Sequence, residues 1–141
     1  MDSYKLRIQQ SLSLIHDAIN EVMGLQKGRK NELSMISMSI IYTSYTKKIR
    51  MKDISEIYDI SKSTASGYVD NLEKKGYVKR VKGEYDKRNI YIKPTEKGKI
   101  WISENEKKLS DYIEEHMSNL TSKEQEKFVE LLSKFTDFKE Y

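Results

Sequence analysis

The sequence predicts a mainly α-helical fold with one short β-hairpin, organised as a single domain. Its length of 141 residues suits one domain. Six residues are Gly and one is Pro, so long helices meet few interruptions. Apolar side chains recur every three or four positions along most of the chain, which is the helical period. After Gly76 they alternate instead, and this change of period indicates two strands.

The first part of the chain predicts three helices and one bridge strand. Residues 3–24 place apolar side chains at helical spacing and predict an amphipathic helix. Ser34 is a suitable N-cap for a second helix over 35–46. Residues 49–51 are long enough only for a bridge strand, and a short helix follows over 52–58. The apolar stripe of the second helix is predicted at Met38, Ile41, Tyr42 and Tyr45.

The middle of the chain predicts a capped helix followed by a hairpin. Ser61 is a suitable N-cap for a helix over 62–75, because its hydroxyl oxygen can accept a hydrogen bond from a free amide of the first turn. Gly76 stands where a glycine commonly ends a helix. Two strands follow over 77–81 and 89–92, joined by a charged loop that contains a turn glycine.

The last part predicts two more helices. Pro94 ends the second strand, because proline donates no hydrogen bond to a ladder. Thr95 then caps a long helix over 96–118, and Thr121 with Glu124 fits a capping box that opens the final helix. The apolar face of this final helix is predicted at Phe128, Leu131, Leu132, Phe135 and Phe138.

The charge is concentrated in the middle third. Residues 47–93 hold thirteen Lys or Arg against seven Asp or Glu, a balance of +6, whereas 1–46 carry +1 and 94–141 carry −3. A basic segment of this kind indicates a polyanionic partner. The lack of Cys excludes disulfides, thiolate catalysis and cysteine zinc sites. Because the sequence shows no catalytic motif and no phosphate-binding glycine loop, we expect that the protein is not an enzyme and needs no cofactor.

The order of the central elements is helix, short strand, helix, tight turn, helix and hairpin. This order predicts a winged helix-turn-helix, mainly α with a two-stranded hairpin wing, whose second helix can enter the major groove of DNA. We expect one domain over 1–141, with a DNA-binding lobe at 34–93 and a dimerisation lobe formed by the helices of 1–24 and 95–141. The apolar stripes of these terminal helices exceed what a core of this size can cover. We therefore expect the stripes of two copies of the chain to pack against each other in a homodimer.

Four segments, taken in order, carry a family resemblance. They are ISKSTAS at 60–66, LEKKGYVKR at 72–80, DKR at 86–88 and TEKG at 95–98. The set resembles the multiple antibiotic resistance regulator (MarR) family over nearly the whole chain, and the wing is also similar to that of the staphylococcal accessory regulators. The resemblance implies a homodimeric transcriptional regulator, usually a repressor, that binds palindromic double-stranded DNA and is often released by a small-molecule effector.

Two positions depart from the family pattern. Gly67 stands where members often carry a larger polar residue, frequently Arg. A glycine within a helix costs about 1 kcal/mol relative to Ala and brings no side chain to the DNA. Pro94 replaces the Leu that usually precedes the threonine of TEKG, which is expected to alter the exit from the wing without changing the fold.

The candidate DNA-reading residues lie early in the helix that follows Ser61. Short hydroxyl side chains hydrogen-bond base edges or phosphates, and a lysine suits a phosphate. The alternative role of Ser and Thr at this place is helix capping, which we favour for Ser61. The candidates on this helix are Lys62, Ser63, Thr64, Ser66 and Gly67.

The hairpin supplies the second group of candidates. The resemblance makes Arg88 the side chain that enters the minor groove, where a cation is favoured in a narrow A·T tract. Asp86 is expected to pair with a nearby cation and fix the wing, although both residues would also suit a solvated hairpin tip. Secondary candidates for phosphate contacts are Arg80, Lys82, Lys87, Lys47 and Lys48.

An alternative function is a winged-helix protein-interaction or scaffold module whose basic hairpin meets an acidic partner. Tyr42, Tyr45 and Tyr58 either line an effector cavity between the lobes or pack in the core. His16 and His116 lie in no cluster with metal-ligand spacing, so no metal site is expected. The chain has no apolar run long enough for a membrane span and no apolar signal sequence at its start, so we expect a cytoplasmic protein without a membrane partner.

Overall fold

The computed structural model describes residues 3–24 and 33–136, which form six helices and three short strands. The helices are α1 (Ser3–Val22), α2 (Met35–Thr46), α3 (Met51–Ile57), α4 (Lys62–Lys74), α5 (Glu96–Met117) and α6 (Ser122–Thr136). The strands are β1 (Ile49–Arg50), β2 (Val78–Lys82) and β3 (Ile90–Pro94). The predicted fold class, mainly helical with a hairpin wing, is confirmed. The predicted apolar Phe138 lies outside the described residues.

The predicted helix caps are confirmed. The hydroxyl oxygens of Ser34, Ser61 and Thr95 each accept a hydrogen bond of 3.1 Å from the backbone amide three residues further on. Thr121 donates its amide to the Glu124 carboxylate at 2.8 Å, and the Glu124 amide donates to the Thr121 hydroxyl at 3.4 Å, which is the predicted capping box. These caps fix where the helices begin, because each satisfies an amide that has no partner within its helix.

The sheet has the strand order β1-β3-β2 and is antiparallel throughout. The predicted bridge strand therefore joins the wing hairpin as a third strand, with Ile49 opposite Ile92. The prediction that Pro94 ends the second strand is confirmed, whereas the predicted bounds of 89–92 were wrong, since β3 includes Pro94 opposite Val78. Proline is tolerated there because neighbouring amides along a strand point to opposite sides. The amide of Thr95 donates a hydrogen bond to the Tyr77 carbonyl oxygen, next to β2. The nitrogen of Pro94 therefore faces the opposite side, beyond the Ile49–Ile92 pair at which the pairing with β1 stops.

The core lies in the winged lobe around α2. This helix packs against β3, α4 and α5, so it buries more than one side. The single stripe predicted for α2 was therefore wrong in part: Ile40 is fully buried beside Ile41, whereas Tyr45 is 54% exposed near the end of the helix. The most deeply buried large side chains are Ile40, Ile41, Ile54, Val69, Leu72, Ile92 and Ile102.

The terminal helices α1 and α6 contain no buried residue. Their apolar side chains lie instead on the surface, and several of them line a shared groove of about 410 Å3 that includes Ile8, Leu12, Phe128, Leu132 and Phe135. Within the described part of the chain, none of the helices combines the length and apolar character needed to cross a membrane.

Two helical glycines give a matched test of this packing. A Cβ on Gly98 would collide with the backbone carbonyl oxygen of Tyr77, whereas a Cβ on Gly67 would meet no atom within 4 Å. We expect Gly98→Ala to lower the free energy of unfolding by about 1–3 kcal/mol, because overpacking outweighs the better helix propensity of Ala. Gly67→Ala is expected to raise it by up to about 1 kcal/mol. Urea unfolding measures both, and a Gly98→Ala variant as stable as the natural chain would contradict the packing.

Candidate nucleic-acid interface

The first turn of α4 presents hydroxyl groups to solvent. The hydroxyl of Ser61 accepts a hydrogen bond from the Thr64 amide and donates to Thr64 Oγ1 at 2.8 Å, and it lies 3.1 Å from Ser63 Oγ. The predicted capping role of Ser61 is thus confirmed. Because Thr64 Oγ1 accepts from Ser61, its own hydrogen is free to donate outward. Lys62, Ser63 and Thr64 are all exposed on this turn, as a reading role requires.

The next two candidates on α4 differ in their surroundings. Ser66 is half-buried, with its Oγ 3.5 Å from Nη2 of Arg80. Gly67 is exposed and borders an open groove of about 540 Å3 between α2 and α4, which Thr64 and Asn71 also line. The groove leaves room at position 67 for a large side chain, so the missing side chain there is a loss of contact surface and is not a steric necessity.

Arg80 on β2 ties the wing to α4. Its guanidinium forms ion pairs with Asp70 at 2.7 Å and with Glu73, and its backbone amide donates to Glu73 Oε1 at 2.9 Å. Burial lowers the pKa of Arg80, but the hydrogen bonds to Asp70 and Glu73 outweigh it, so the pKa lies above its usual value. The Arg80 side chain is 25% exposed, and its two terminal nitrogens contact Asp70 and Glu73. Sequence reasoning missed this clamp because it considered the charge of Arg80 without the two carboxylates one turn apart on α4.

The tip of the wing is closed by a tight loop and an ion pair. Arg88 Nε lies 3.1 Å from Asp86 Oδ1, and the Arg88 backbone amide donates to the same oxygen at 3.0 Å. These two hydrogen bonds hold the pKa of Asp86 below its usual value, with a smaller contribution from the charge of Lys52. The side chain of Arg88 is nevertheless 92% exposed, so the pair orients its cation at the surface. Lys82 and Lys87 are exposed on the same hairpin.

A groove of about 280 Å3 joins the first turn of α4 to the wing, and we call it the cationic groove. Among its lining residues are Lys62 and Ser66 of α4 and Arg88 of the wing. It also brings in Arg50 and Lys52, which the sequence analysis did not name. Their signal was the excess of basic residues in 47–93. The guanidinium of Arg50 donates hydrogen bonds of 2.8 and 2.9 Å to Asp53, which restrain it. Lys52 is exposed.

The three tyrosines proposed for an effector cavity have separate surroundings. Tyr42 stacks edge-on against Trp101, with 5.8 Å between ring centroids. The hydroxyl of Tyr58 lies 3.0 Å from the hydroxyls of both Ser39 and Thr43, which ties the end of α3 to α2. Tyr42 and Tyr58 therefore fit the core interpretation, whereas Tyr45 lies on the surface.

The fold is a winged helix-turn-helix, and its second helix and wing border one cationic groove. Residues 35–90 match the model of the MarR family. This part of the chain is therefore similar to that family, and it contains the ISKSTAS and LEKKGYVKR segments on which the resemblance rests.

Relatives and solved structures show the same similarity. The chain is 34% identical over 71 residues to the HTH-type transcriptional regulator YfiV of Bacillus subtilis, covering 50% of this chain and 44% of the relative. It is 33% identical over 86 residues to the HTH-type transcriptional regulator SarZ of Staphylococcus haemolyticus, covering 60% and 58%. The chain thus spans about half the length of these curated relatives. Both relatives are named as transcriptional regulators.

Among solved structures, the fold is similar to that of Streptococcus pneumoniae FabT in complex with DNA. The TM-score is 0.74 at 22% sequence identity, and the match covers 95% of this chain and 96% of that one. This likeness extends the shared fold beyond residues 35–90 to the terminal helices.

The Arg80 clamp makes a stability prediction. Glu73→Gln keeps the shape of the side chain but removes one charged partner of a half-buried guanidinium, so the free energy of unfolding should fall by about 1–2 kcal/mol. The control is Asp111→Asn, which breaks the exposed pair of Lys107 and Asp111 at 2.7 Å and should change it by less than about 0.5 kcal/mol. Chemical denaturation of both variants checks the difference, and equal effects would show that the clamp behaves as an ordinary surface pair.

Proposed function

We propose that this protein is a sequence-specific transcriptional regulator that binds double-stranded DNA, acting as a homodimeric repressor on a palindromic operator. The observation that carries the proposal is the first turn of α4, where Ser63 and Thr64 are exposed beside Lys62, with a cationic groove running from this turn to Arg88. Base edges are read by short polar side chains, and phosphates are held by cations, so one surface supplies both kinds of contact.

In this proposal α4 enters the major groove with its N-terminal turn towards the bases. The groove is about 12 Å wide and admits one helix. Thr64 donates to a base acceptor with the hydrogen that Ser61 leaves free, and Ser63 and Ser66 contact neighbouring bases or phosphates. Lys62 and Lys52 neutralise phosphates on either side. The remaining proposed contacts on α4 and the wing are Gly67 through its backbone, Lys82 and Lys87.

The wing contributes a minor-groove contact through Arg88. The hydrogen bonds that Arg88 donates to Asp86 fix the direction of an otherwise exposed side chain, so little conformational entropy is lost on binding. Arg80 acts in this proposal by holding the wing against α4, since its own donors are engaged by Asp70 and Glu73. A fixed wing places Arg88 in the minor groove next to the major groove that α4 occupies.

The homodimer forms through α1 and α6 in this proposal. Both helices expose large apolar residues and bury none, which is the pattern of a surface that a second copy covers. A two-fold dimer sets the two copies of α4 about one DNA turn apart, roughly 34 Å, and this spacing requires a palindromic operator. A small-molecule effector would release the DNA by changing that spacing.

Selection of duplexes from a random pool tests the function directly. The proposal predicts a single enriched palindrome whose half-sites lie about 10 base pairs apart, bound with a steep salt dependence. Binding that is equally strong for every duplex, or no binding to DNA, would contradict it and favour an acidic protein partner for the basic hairpin.

The reading role of Thr64 predicts a loss of discrimination without a loss of fold. Thr64→Val removes the hydroxyl but keeps the shape, and the cap survives because Ser61 bonds the backbone amide of residue 64. We expect the preference for the selected operator over a mismatched one to fall by about 1–3 kcal/mol, with non-specific affinity unchanged. Thr64→Ser, which keeps the hydroxyl, is the control. Full discrimination by the valine variant in a fluorescence anisotropy titration would remove Thr64 from the readers.

The proposed role of the wing predicts that substitutions of Arg88 and of Asp86 both weaken operator binding. Arg88→Ala should weaken operator binding by about 1–3 kcal/mol and lower the salt slope by about one unit, and Arg88→Lys should recover part of the loss. Asp86→Asn should also weaken binding although it removes a negative charge near DNA, because Arg88 loses the acceptor Oδ2 and the charge that strengthens its two hydrogen bonds to Oδ1. Tighter binding by Asp86→Asn would show that the carboxylate repels DNA and does not position the wing.

The proposed dimer predicts the mass of the protein in solution and a substitution that dissociates it. Sedimentation equilibrium should give twice the chain mass of 16.6 kDa at micromolar concentration. Leu132→Glu, at a position that is 46% exposed in the apolar groove, should shift the mass towards one chain, because a charge cannot be buried unpaired. Ile57→Glu, at a position that is 51% exposed on α3, is the control and should remain dimeric. A folded monomer for the natural chain would contradict the interface.

A further inference from the structure

A second basic groove lies away from the proposed reading surface. It has a volume of about 620 Å3 and is bordered by the end of α2, the β2–β3 hairpin and the start of α5. Five of its lining residues are lysines and none is acidic, and we call it the lysine groove: Lys47, Lys48, Lys79, Lys93 and Lys99. Lys99 forms an ion pair with Glu96 at 3.0 Å. Among residues 3–24 and 33–136, no carboxylate lies within ion-pair distance of the other four.

The register of the hairpin places two of these lysines directly opposite one another. Lys79 of β2 pairs with Lys93 of β3, and both side chains are exposed. Like charges at opposed positions of an antiparallel pair destabilise the sheet. In the free protein this repulsion has no counter-charge, so an anion bound between the two ammonium groups would relieve it.

The lysine groove faces away from α4. Alternate residues of a strand point to opposite faces, and Arg80 and Ile92 point to the face that packs on α4 and the core. Lys79 and Lys93 therefore lie on the outer face of the sheet. This separates them from the cationic groove and from the duplex that α4 would engage.

An aromatic ring forms part of the same surface. The ammonium of Lys48 lies 4.6 Å from the ring centroid of Tyr91, which holds this lysine against the outer face of β3. The exposed ring of Tyr45 also lines the groove. The groove therefore combines restrained positive charge with flat apolar surface in a space large enough for a small molecule.

We propose that the lysine groove binds a small anion with two or more negative charges, of the phosphate or phosphate-ester class. Multiple charges are needed because the groove presents several ammonium groups at once. Lysine is a strongly hydrated point-charge donor that suits phosphate oxygens without the planar match that arginine makes to carboxylates. The groove is a ligand site separate from the DNA-reading surface.

Thermal unfolding of the full chain in inorganic pyrophosphate, against chloride at equal ionic strength, tests the proposal. The natural protein should gain stability from pyrophosphate, because a ligand that binds only the folded state raises the unfolding midpoint. The double variant Lys79→Gln with Lys93→Gln should lose this gain. In chloride alone it should unfold about 1–4 °C higher than the natural protein, because the cross-strand repulsion is gone.

In the double variant the unfolding midpoint should rise in chloride, whereas the gain from pyrophosphate should disappear. A merely structural role of the two lysines would not produce these opposite effects. Calorimetric titration should show pyrophosphate binding about fivefold weaker for each lysine removed. The control is Lys108→Gln with Lys123→Gln, which makes the same change of net charge at exposed positions outside the groove and should keep the full response. An equal gain from pyrophosphate in the groove variant and the natural protein would overturn the site.

Duplex DNA supplies the second arm. If the groove takes a small anion, the Lys79→Gln and Lys93→Gln variant should keep the affinity and the salt slope of the natural protein for duplex DNA. A salt slope lower by about two units would assign these lysines to backbone phosphates of the duplex and overturn the small-anion site.

Discussion

The guanidinium of Arg80, held between Asp70 and Glu73, is the interaction on which the rest of the interface depends. A two-stranded hairpin has little stability by itself, so its direction must be set by contacts with its neighbours. Ile92 anchors the core side of the hairpin, and β1 adds a third strand at its base. Arg80 links the charged part of β2 to the surface of α4, and through it the wing and the reading helix keep one relative position.

A second constraint is the division of the chain into a basic middle part and terminal helices with exposed apolar faces. The winged lobe buries its own core around α2 and keeps its basic residues on the surface. Helices α1 and α6 differ, since they leave apolar faces exposed and their basic residues are balanced by as many acidic ones. One copy can thus satisfy its hydrophobic surface through a partner without covering the groove that would meet DNA. The same division places two basic grooves on different faces of the hairpin.

Local sequence signals predicted the elements well, because each helix start depends on residues within one turn. The hydroxyls of Ser34, Ser61 and Thr95 cap where the sequence placed them. Long-range features were not predicted. The burial of Ile40 depends on α2 being surrounded by three other elements, and the tolerance of Pro94 in β3 depends on where the pairing with β1 stops.

The candidate site divides in the same way. Exposure at Lys62, Ser63 and Thr64 follows from their place at a capped helix start, and the pairing of Asp86 with Arg88 follows from two residues of separation in a tight turn. The clamp on Arg80 joins residues seven and ten positions apart across a helix end and a strand, which no periodicity reports. The cross-strand pairing of Lys79 with Lys93 could be identified only from the register of β2 and β3 in the structure.

The central claim is that Arg80 acts through the wing and does not itself contact DNA. A double-mutant cycle on operator affinity tests it, with Arg80→Gln and Arg88→Ala made singly and together. If Arg80 serves to position Arg88, its substitution should weaken binding in the natural chain but have little further effect once Arg88 is alanine. Two losses that add in full would contradict the account and make Arg80 an independent phosphate contact.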